Sequence, residues 1–291
     1  MIVVRRPGLL TTIQDLGRRG YAHLGVPHAG AVDVASLRLA NRLVGNDESA
    51  AGLEITLVGP ELVCDSPTYV ALTGAQVAAA VEGRAVAMNA AYCVPAGAVL
   101  SIGSVTAGVR TYLGVRGGID VPLVLGSRST DTLSGLGPPK LAAGSGLIVG
   151  SAGRAEPWEE VAPTRPAEME PVLRVTPGPR DNHLATGAVE ALCRTIWTVT
   201  SKSDRTGVRL EGRPLRWRQQ RELRSEGIAT GAIQVPRDGQ PIVFLANHPT
   251  TGGYPVIAVV TEADVALAAQ ARPGTALRFR TVALPGLGLR S

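Results

Sequence analysis

The chain has 291 residues, of which 45% are hydrophobic, 3% aromatic and 18% charged, and its formal net charge is +5. This length exceeds what a single hydrophobic core comfortably organises and is enough for two folded domains. So few aromatic residues exclude a stacking platform for single-stranded nucleic acid, and the dispersed arginines indicate a solvated surface with some anion sites. We expect no nucleic-acid partner.

Neither secretion nor membrane insertion is expected. The first residues, MIVVRRPGLL, place apolar side chains before the charges and lack the apolar stretch of a signal peptide. No apolar run reaches the ~20 residues that cross a bilayer, so we expect a cytoplasmic protein. The distant cysteines Cys64, Cys93 and Cys193 predict small buried side chains without disulfides, and four histidines without ligand spacing predict no metal site.

The first polar loop, TTIQDLGRRGYAHLGVPHAGAVD at 11–33, combines an amide, acids, arginines and histidines beyond what turn formation requires. We predict that Asp15 and His28 act as acid or base, and that Gln14 and Arg18 bind substrate or phosphate. The structural alternatives are an Asx-type turn at Gln14 and Asp15 and a satisfied surface histidine at His28.

A helix is predicted directly after this loop. Asp33 is a suitable N-cap for VASLRLANRLV, and Gly45 can end the helix. Four apolar residues fall on one face of it: Leu37, Ala40, Leu43 and Val44.

Three short β-branched segments bounded by turns then predict strands at 69–75, 97–103 and 110–118. The loop LGSRSTDT at 125–132 follows them. We predict that its Arg128 and Ser129 bind an anion, although a hydrogen-bonded turn explains these residue types equally well.

The sharpest change in composition is the stretch 150–179, which holds six prolines, several glutamates and little apolar periodicity. Proline fixes φ and removes a backbone donor, so this stretch predicts a linker or an extended crossing segment. We place the domain boundary near residue 165, which gives domains 1–165 and 166–291.

The second half repeats the pattern of short strands and polar loops. Strands are predicted at 232–235, 241–246 and 256–260, with an Asp-Gly hairpin signal in RDGQP at 237–241. Thr261 and Asp264 resemble a capping box that opens a helix in EADVALAAQA.

Two polar loops in this half supply further candidates. SKSDRTGVRLEG at 201–212 offers Asp204 as an acid or base and Arg205 as an anion binder, with a surface ion pair as the alternative. NHPTTGGYPV at 247–256 holds more polar chemistry than a hairpin needs. We predict substrate or phosphate binding by one nearby strand residue and six residues of this loop: Gln234, His248, Thr250, Thr251, Gly252, Gly253 and Tyr254.

Many short strands and few helices predict a mainly β protein with a barrel-like architecture in each half. The motifs G-x-x-x-x-G-K-[ST], H-E-x-x-H and G-x-S-x-G do not occur in the sequence. The chain is therefore neither a self-evident ATPase nor a self-evident hydrolase.

Taken together, several of these stretches resemble one family. QDLGRRGYAHLGVPHAGAVD, LEITLVGP, GGIDVPLVLGSRST, SDRTGVRLEG and SEGIATGAIQVPRDGQPIVFLANHPTTGGYPVIAVV occur in the order found in the allophanate hydrolase subunit 2, or carboxyltransferase A/B-subdomain, family. The family includes the C subunit of bacterial 5-oxoprolinase and part of urea carboxylase. Relatives commonly read DRQTTGGYPKIA where this chain has Asn247, His248, Pro249 and, after TTGGYP, Val256.

The resemblance implies a C-terminal domain with a cyclophilin-like β-barrel, preceded by a second β-rich subdomain with a few short helices. It also implies a heteromeric complex, usually a heterotetramer, with a subunit 1 (or B) protein. In 5-oxoprolinase a LamB/YcsF-type protein joins, and ATP drives the opening of the 5-oxoproline lactam to glutamate.

The resemblance leaves three functional hypotheses. The first is a subunit of an ATP-dependent amide hydrolase, 5-oxoprolinase, with a site shared with its partner and no activity alone. The second is an allophanate or urea carboxylase-type carboxyltransferase that uses carboxybiotin. The third is a non-enzymatic antagonist that binds a kinase-inhibiting subunit 1 protein. Gene neighbourhood distinguishes them, since LamB/YcsF, biotin-related or kinase genes would favour the first, second or third.

Overall fold

The computed structural model describes residues 1–163, 168, 170–218 and 223–282, which belong to two compact units, Met1–Ala167 and Glu168–Ser291. Both units are mainly β, as the sequence predicts. None of the helices in the described ranges has the length and apolarity needed to cross a bilayer.

The strands of the first unit are β1 (Ile2–Arg6), β2 (Leu10–Gln14), β3 (Gly52–Thr56), β4 (Glu61–Cys64), β5 (Thr68–Val81), β6 (Arg84–Val86), β7 (Ala91–Val94), β8 (Val99–Val115) and β9 (Gly146–Leu147). Among the described residues they form a nine-stranded sheet in which β2-β3-β8-β4-β1-β9 lie in that order and β5 pairs with β8, β6 and β7. A 3₁₀ turn covers Ala22–Leu24.

The predicted strands at 97–103 and 110–118 are wrong in one respect, because β8 is a single strand of 17 residues. It pairs with β5 from Val70↔Val115 to Val81↔Leu100, and the register shifts between Gly74 and Ala79. Such bulges bend long strands, so the sheet curls without breaking either strand. Long-range pairing of this kind leaves no local signal in either segment.

The predicted first helix is confirmed as α1 (Val34–Leu43). The Asp33 carboxylate accepts hydrogen bonds from Ser36 N at 3.1 Å and Ser36 Oγ at 2.7 Å. Gly45 follows with φ +72°, where a Cβ would lie 2.3 Å from a backbone oxygen. The predicted face is buried and packs on β5 and β8.

The strands of the second unit are β10 (Val172–Pro177), β11 (Trp197–Val199), β12 (Gly207–Glu211), β13 (Glu226–Gly227), β14 (Ala232–Gln234), β15 (Ile242–Phe244), β16 (Thr251–Gly252), β17 (Val256–Val260) and β18 (Ala276–Thr281). Among the described residues they form a closed barrel in the order β10-β17-β14-β15-β12-β11-β18 and a separate two-stranded sheet, β13-β16. The core of this unit holds buried Leu, Val and Ile, and fully buried Trp197, whose Nε1 donates to the Leu192 carbonyl oxygen at 2.9 Å.

The helices of this unit are α2 (Ala188–Arg194) and α3 (Glu262–Gln270), with a 3₁₀ turn at Asp181–His183. The predicted hairpin at 237–241 is confirmed, since β14 and β15 are antiparallel neighbours. The capping box at α3 is wrong: the Thr261 side chain accepts no backbone cap bond, and the Asp264 carboxylate binds Arg174 at 2.7 to 2.9 Å instead.

The prediction of three buried cysteines holds for Cys64 alone. Burial raises the pKa of the Cys64 thiol. Cys193 is half-buried, and Cys93 is exposed because the middle of β7 faces solvent.

Candidate functional site

Three segments of the first unit meet at the end of β2. Ala31 N donates to the Asp15 carbonyl oxygen at 2.9 Å, and Arg18 N donates to the His28 carbonyl oxygen at 2.8 Å. Thr130 N donates to the Ile13 carbonyl oxygen at 2.9 Å. Backbone hydrogen bonds thus hold the 14–18, 28–31 and 127–131 segments together, and bring two of the predicted polar loops into contact.

The Asp15 carboxylate lies at the centre of this meeting point and is 8% exposed. Its Oδ1 accepts from Gly17 N at 2.8 Å, Ser127 Oγ at 2.6 Å and Ser129 Oγ at 2.5 Å. Its Oδ2 accepts from Arg128 N at 2.6 Å. Four donors fix the orientation of this carboxylate, so the geometry suits positioning of the 127–129 segment.

Arg18 is 2% exposed and anchored on one side only. Its Nη2 donates to the Ser129 carbonyl oxygen at 2.5 Å and its Nε to the Val124 carbonyl oxygen at 3.3 Å. Burial lowers the pKa of Arg18, and the carboxylates of Asp131 and Asp15 oppose that shift. Within the part of the chain that the structure describes, Nη1 is buried and has no hydrogen-bond partner.

Gln14 is fully buried beside it. Its Nε2 donates to Thr12 Oγ1 and to the Thr130 carbonyl oxygen, both at 3.0 Å. Its Oε1 and the Thr130 hydroxyl are buried and lack partners among the described residues. Buried polar atoms are nearly always hydrogen-bonded, so these three unsatisfied atoms, on side chains anchored to the adjacent Ser129 and Thr130 carbonyls, are groups that a ligand or water would satisfy. We call Gln14, Asp15, Arg18, Ser129 and Thr130 the Asp15 site.

Two predicted residues of this unit have different surroundings. The Arg128 guanidinium faces the surface, where Nη2 contacts Asp120 Oδ1 at 2.8 Å and Nε donates to the Val121 carbonyl oxygen. Arg128 therefore enters the Asp15 site through its backbone N–H alone. His28 is half-buried with its ring next to Gly17, where a Cβ would lie 2.9 Å from Cε1.

A second buried network supports the 28–33 segment. Glu54 Oε2 accepts from Val32 N at 3.0 Å and from the Tyr112 hydroxyl at 2.7 Å, and that hydroxyl accepts from Asp33 N at 2.8 Å. Burial, with the Glu54 and Asp33 carboxylates, raises the pKa of Tyr112 well above its ordinary value. Arg110 Nε lies 3.6 Å from Glu54 Oε1.

The sequence reasoning missed several residues of these networks: Glu54, Arg110, Tyr112, Ser127, Thr130 and Asp131. A glutamate inside the apolar strand LEITLV was the one available signal, because an acid there must be paired when its strand is buried.

The predicted site residues of the second unit lie near the end of β15. Arg205 is 3% exposed, and its Nη2 donates to Asn247 Oδ1 at 3.1 Å. His248 Nδ1 donates to the Pro249 carbonyl oxygen at 2.7 Å, which leaves Nε2 as the acceptor of a neutral ring. Burial lowers the pKa of His248, and the bond to Pro249 opposes that shift.

The 250–254 loop lies against β13. Thr251 and Gly252 pair with that strand, and the Thr250 carbonyl oxygen accepts from Ile228 N at 3.0 Å. Buried Gln234 donates through Nε2 to the Tyr254 carbonyl oxygen at 3.0 Å. Gly252 lies close to the Gln234 side chain, since a Cβ there would be 2.7 Å from Gln234 Nε2 and would force that side chain to shift. The predicted loop is thus partly a short strand.

The remaining predicted residues of this loop face outwards. Thr251 and Tyr254 are exposed, and Gly253 is half-buried. Asp204 is exposed as well, and its Oδ1 accepts from Thr206 N at 2.7 Å and Gly207 N at 3.2 Å, which is the Asx turn that its residue type favours.

Residues 24–281 match the family described as carboxyltransferase domain, subdomain A and B. The chain belongs to this family. Over 96% of its length, this carboxyltransferase-domain chain is 39% identical to the C subunit of 5-oxoprolinase from Escherichia coli strain K12, and it spans 90% of that protein.

Solved structures share the carboxyltransferase-domain fold. TTHA0988 superposes with a TM-score of 0.88 at 36% identity over 96% of this chain, which spans 55% of the TTHA0988 chain. The K. lactis urea amidolyase superposes with a TM-score of 0.90 at 33% identity over 97% of this chain, which spans 19% of that enzyme.

Proposed function

We propose that this chain is one subunit of an ATP-dependent amide hydrolase that opens 5-oxo-L-proline to L-glutamate. Similarity to the C subunit of 5-oxoprolinase along nearly the whole of both chains supports the reaction class. The observation that carries the proposal is the unsatisfied pair in the Asp15 site, the donor Arg18 Nη1 and the acceptor Gln14 Oε1.

This pair complements an amide. A lactam offers a carbonyl oxygen that accepts and a ring N–H that donates, so Arg18 Nη1 would bind the oxygen and Gln14 Oε1 the N–H. The carboxylates of Asp15 and Asp131 offset part of the Arg18 charge, which suits a ligand oxygen that is neutral at first and gains negative charge during the reaction. The two side chains are held on adjacent peptide carbonyls, Ser129 and Thr130.

The chemistry needs charge stabilisation at the amide oxygen. ATP would transfer its γ-phosphoryl group to that oxygen with loss of ADP, and water would then add to the carbonyl carbon. The C–N bond breaks, the nitrogen takes a proton, and a second water releases phosphate from the acyl phosphate. Arg18 would stabilise the oxygen as its negative charge develops, while Asp15 keeps the Ser129 carbonyl in place to orient the guanidinium.

We assign the remaining parts of the reaction to a complex. The chain has no glycine-rich phosphate loop, so ATP would bind with residues of a subunit 1 (or B) partner or a LamB/YcsF-type subunit, in the cytoplasm. In the second unit His248 Nε2 would be the base, because the Asp204 carboxylate already accepts a hydrogen bond from Thr206 N in its own turn. Alone, this chain would be inactive.

The test is 5-oxoproline-dependent ADP release by the purified chain, by its co-expressed partners, and by the full complex. Turnover by the full complex only is the expected result. Activity of the isolated chain would contradict the shared site, and a full complex without 5-oxoproline-dependent ADP release would contradict the substrate.

The urea carboxylase-type reaction is the second candidate, since the K. lactis urea amidolyase has the same fold and urea is also an amide. Here the same donor and acceptor would bind urea, and carboxybiotin would supply the carboxyl group. Carboxylation of urea by the chain with a biotinylated carrier, without ADP release on 5-oxoproline, would favour it over the first proposal.

A further inference from the structure

A cleft of about 490 Å³ lies in the second unit between α2 and the 213–216 segment. Both walls are fixed by the backbone. Ala185 N donates to the Arg216 carbonyl oxygen at 2.8 Å, and Leu215 N donates to the Gly239 carbonyl oxygen at 3.0 Å. The Leu215 side chain is buried under the segment. We call this the Arg213 cleft, and its polar lining is Arg194, Arg213, Arg216, Thr186 and Thr195.

Among the residues that the structure describes, the Arg213 cleft is lined by three arginines and by no acidic residue. In the described part of the chain, the side chains of these arginines make neither ion pairs nor hydrogen bonds. Other arginines of the same unit are neutralised, as Arg174 contacts Asp264 at 2.7 Å and Arg180 contacts Glu226 at 2.6 Å. Three like charges around one small space repel each other, and an anion between them would relieve that repulsion.

We propose that the Arg213 cleft binds a small polyanion that carries phosphate groups. Guanidinium groups match phosphate oxygens in charge and in forked geometry, and three of them fit a ligand with more than one negative charge. The volume is that of a small-molecule site. This inference is independent of the proposed amide chemistry, because the Arg213 cleft and the Asp15 site share no residue.

The lining favours a small molecule over an acidic protein segment. Its apolar part consists of small or compact residues such as Ala188, Ala191 and Pro214, which bring a ligand close to the backbone. The described lining residues include none of the aromatic anchors on which protein interfaces depend.

Isothermal titration of the full chain with pyrophosphate at low salt tests the proposal, with ATP and adenosine as further ligands. The variant is Arg213→Gln with Arg216→Gln, and the control is Arg84→Gln with Arg209→Gln, which removes the same charge from exposed arginines outside the cleft. All four arginines are exposed, so both double variants should keep the wild-type melting temperature.

Pyrophosphate binding that weakens roughly tenfold or more in the cleft variant and stays within about twofold in the control is the expected result. If ATP displaces pyrophosphate and adenosine does not, the phosphate chain of a nucleotide is the ligand. If ATP does not displace pyrophosphate, the ligand of the cleft is an inorganic polyphosphate. No binding of pyrophosphate, equal loss in both variants, or binding of an oligoglutamate peptide that pyrophosphate fails to displace would overturn the proposal.

Discussion

Replacing Asp15 with asparagine exchanges one carboxylate oxygen for an amide group at nearly constant volume. Three donors, Gly17 N, Ser127 Oγ and Ser129 Oγ, point at Oδ1, and Arg128 N points at Oδ2. If the asparagine oxygen takes the Oδ1 position, its NH₂ group faces the Arg128 N–H, which loses its acceptor and meets a second donor. That mismatch, with weaker bonds to the neutral oxygen, should lower the free energy of unfolding by roughly 3 kcal/mol.

Asp204→Asn is the matched control. Asp204 is exposed and uses Oδ1 to accept from Thr206 N and Gly207 N, which asparagine can also do. We expect a change below about 0.5 kcal/mol. Urea unfolding followed by circular dichroism measures both changes, and hydrogen exchange shows whether the 127–131 amides lose protection in Asp15→Asn alone. Equal stabilities of the two variants would refute the assigned role of Asp15.

Three further predictions concern stability. Because the unfolded chain binds a proton at His248 more readily than the folded one, stability should fall as pH drops below about 6.5, and His248→Gln should flatten that dependence in thermal melts. Gly17→Ala should destabilise more than Gly20→Ala in urea melts, since both have positive φ but a Cβ at Gly17 lies 2.6 Å from a backbone oxygen and one at Gly20 meets nothing within 4 Å. Asp264→Ala should lower the free energy of unfolding by about 1–3 kcal/mol, because the half-exposed Arg174 loses its carboxylate partner. An unchanged urea midpoint would contradict this prediction.

Most of the correct fold predictions rest on sequence patterns within a few neighbouring residues. The first helix follows from Asp33 and the spacing of four apolar residues, and the hairpin at 237–241 follows from an Asp-Gly pair. The long strand β8 could not be predicted, because its continuity depends on pairing with β5. At Asp264, the capping signal was present, but a stronger partner 90 residues away in sequence took the carboxylate.

In the candidate site too, local residue types were predictable and contacts between distant segments were not. Asp15, Gln14 and Arg18 stood out by residue type, whereas Ser127 lies 112 residues from Asp15 in sequence and belonged to a loop with its own turn explanation. Arg18 and Arg128 were indistinguishable as anion-binding candidates. The fold separates them, since it buries one guanidinium with a nitrogen unsatisfied and pairs the other with Asp120 at the surface.

That contrast gives the most direct test of the proposed amide site. In the reconstituted complex, Arg18→Lys keeps the charge but removes the fork that spans the Ser129 carbonyl and the ligand, so kcat/KM for 5-oxoproline should fall about a hundredfold. Arg128→Lys should change it less than about threefold, because the backbone N–H that serves the site is retained. Equal effects in two variants with wild-type melting temperatures would contradict the recognition of an amide by Arg18.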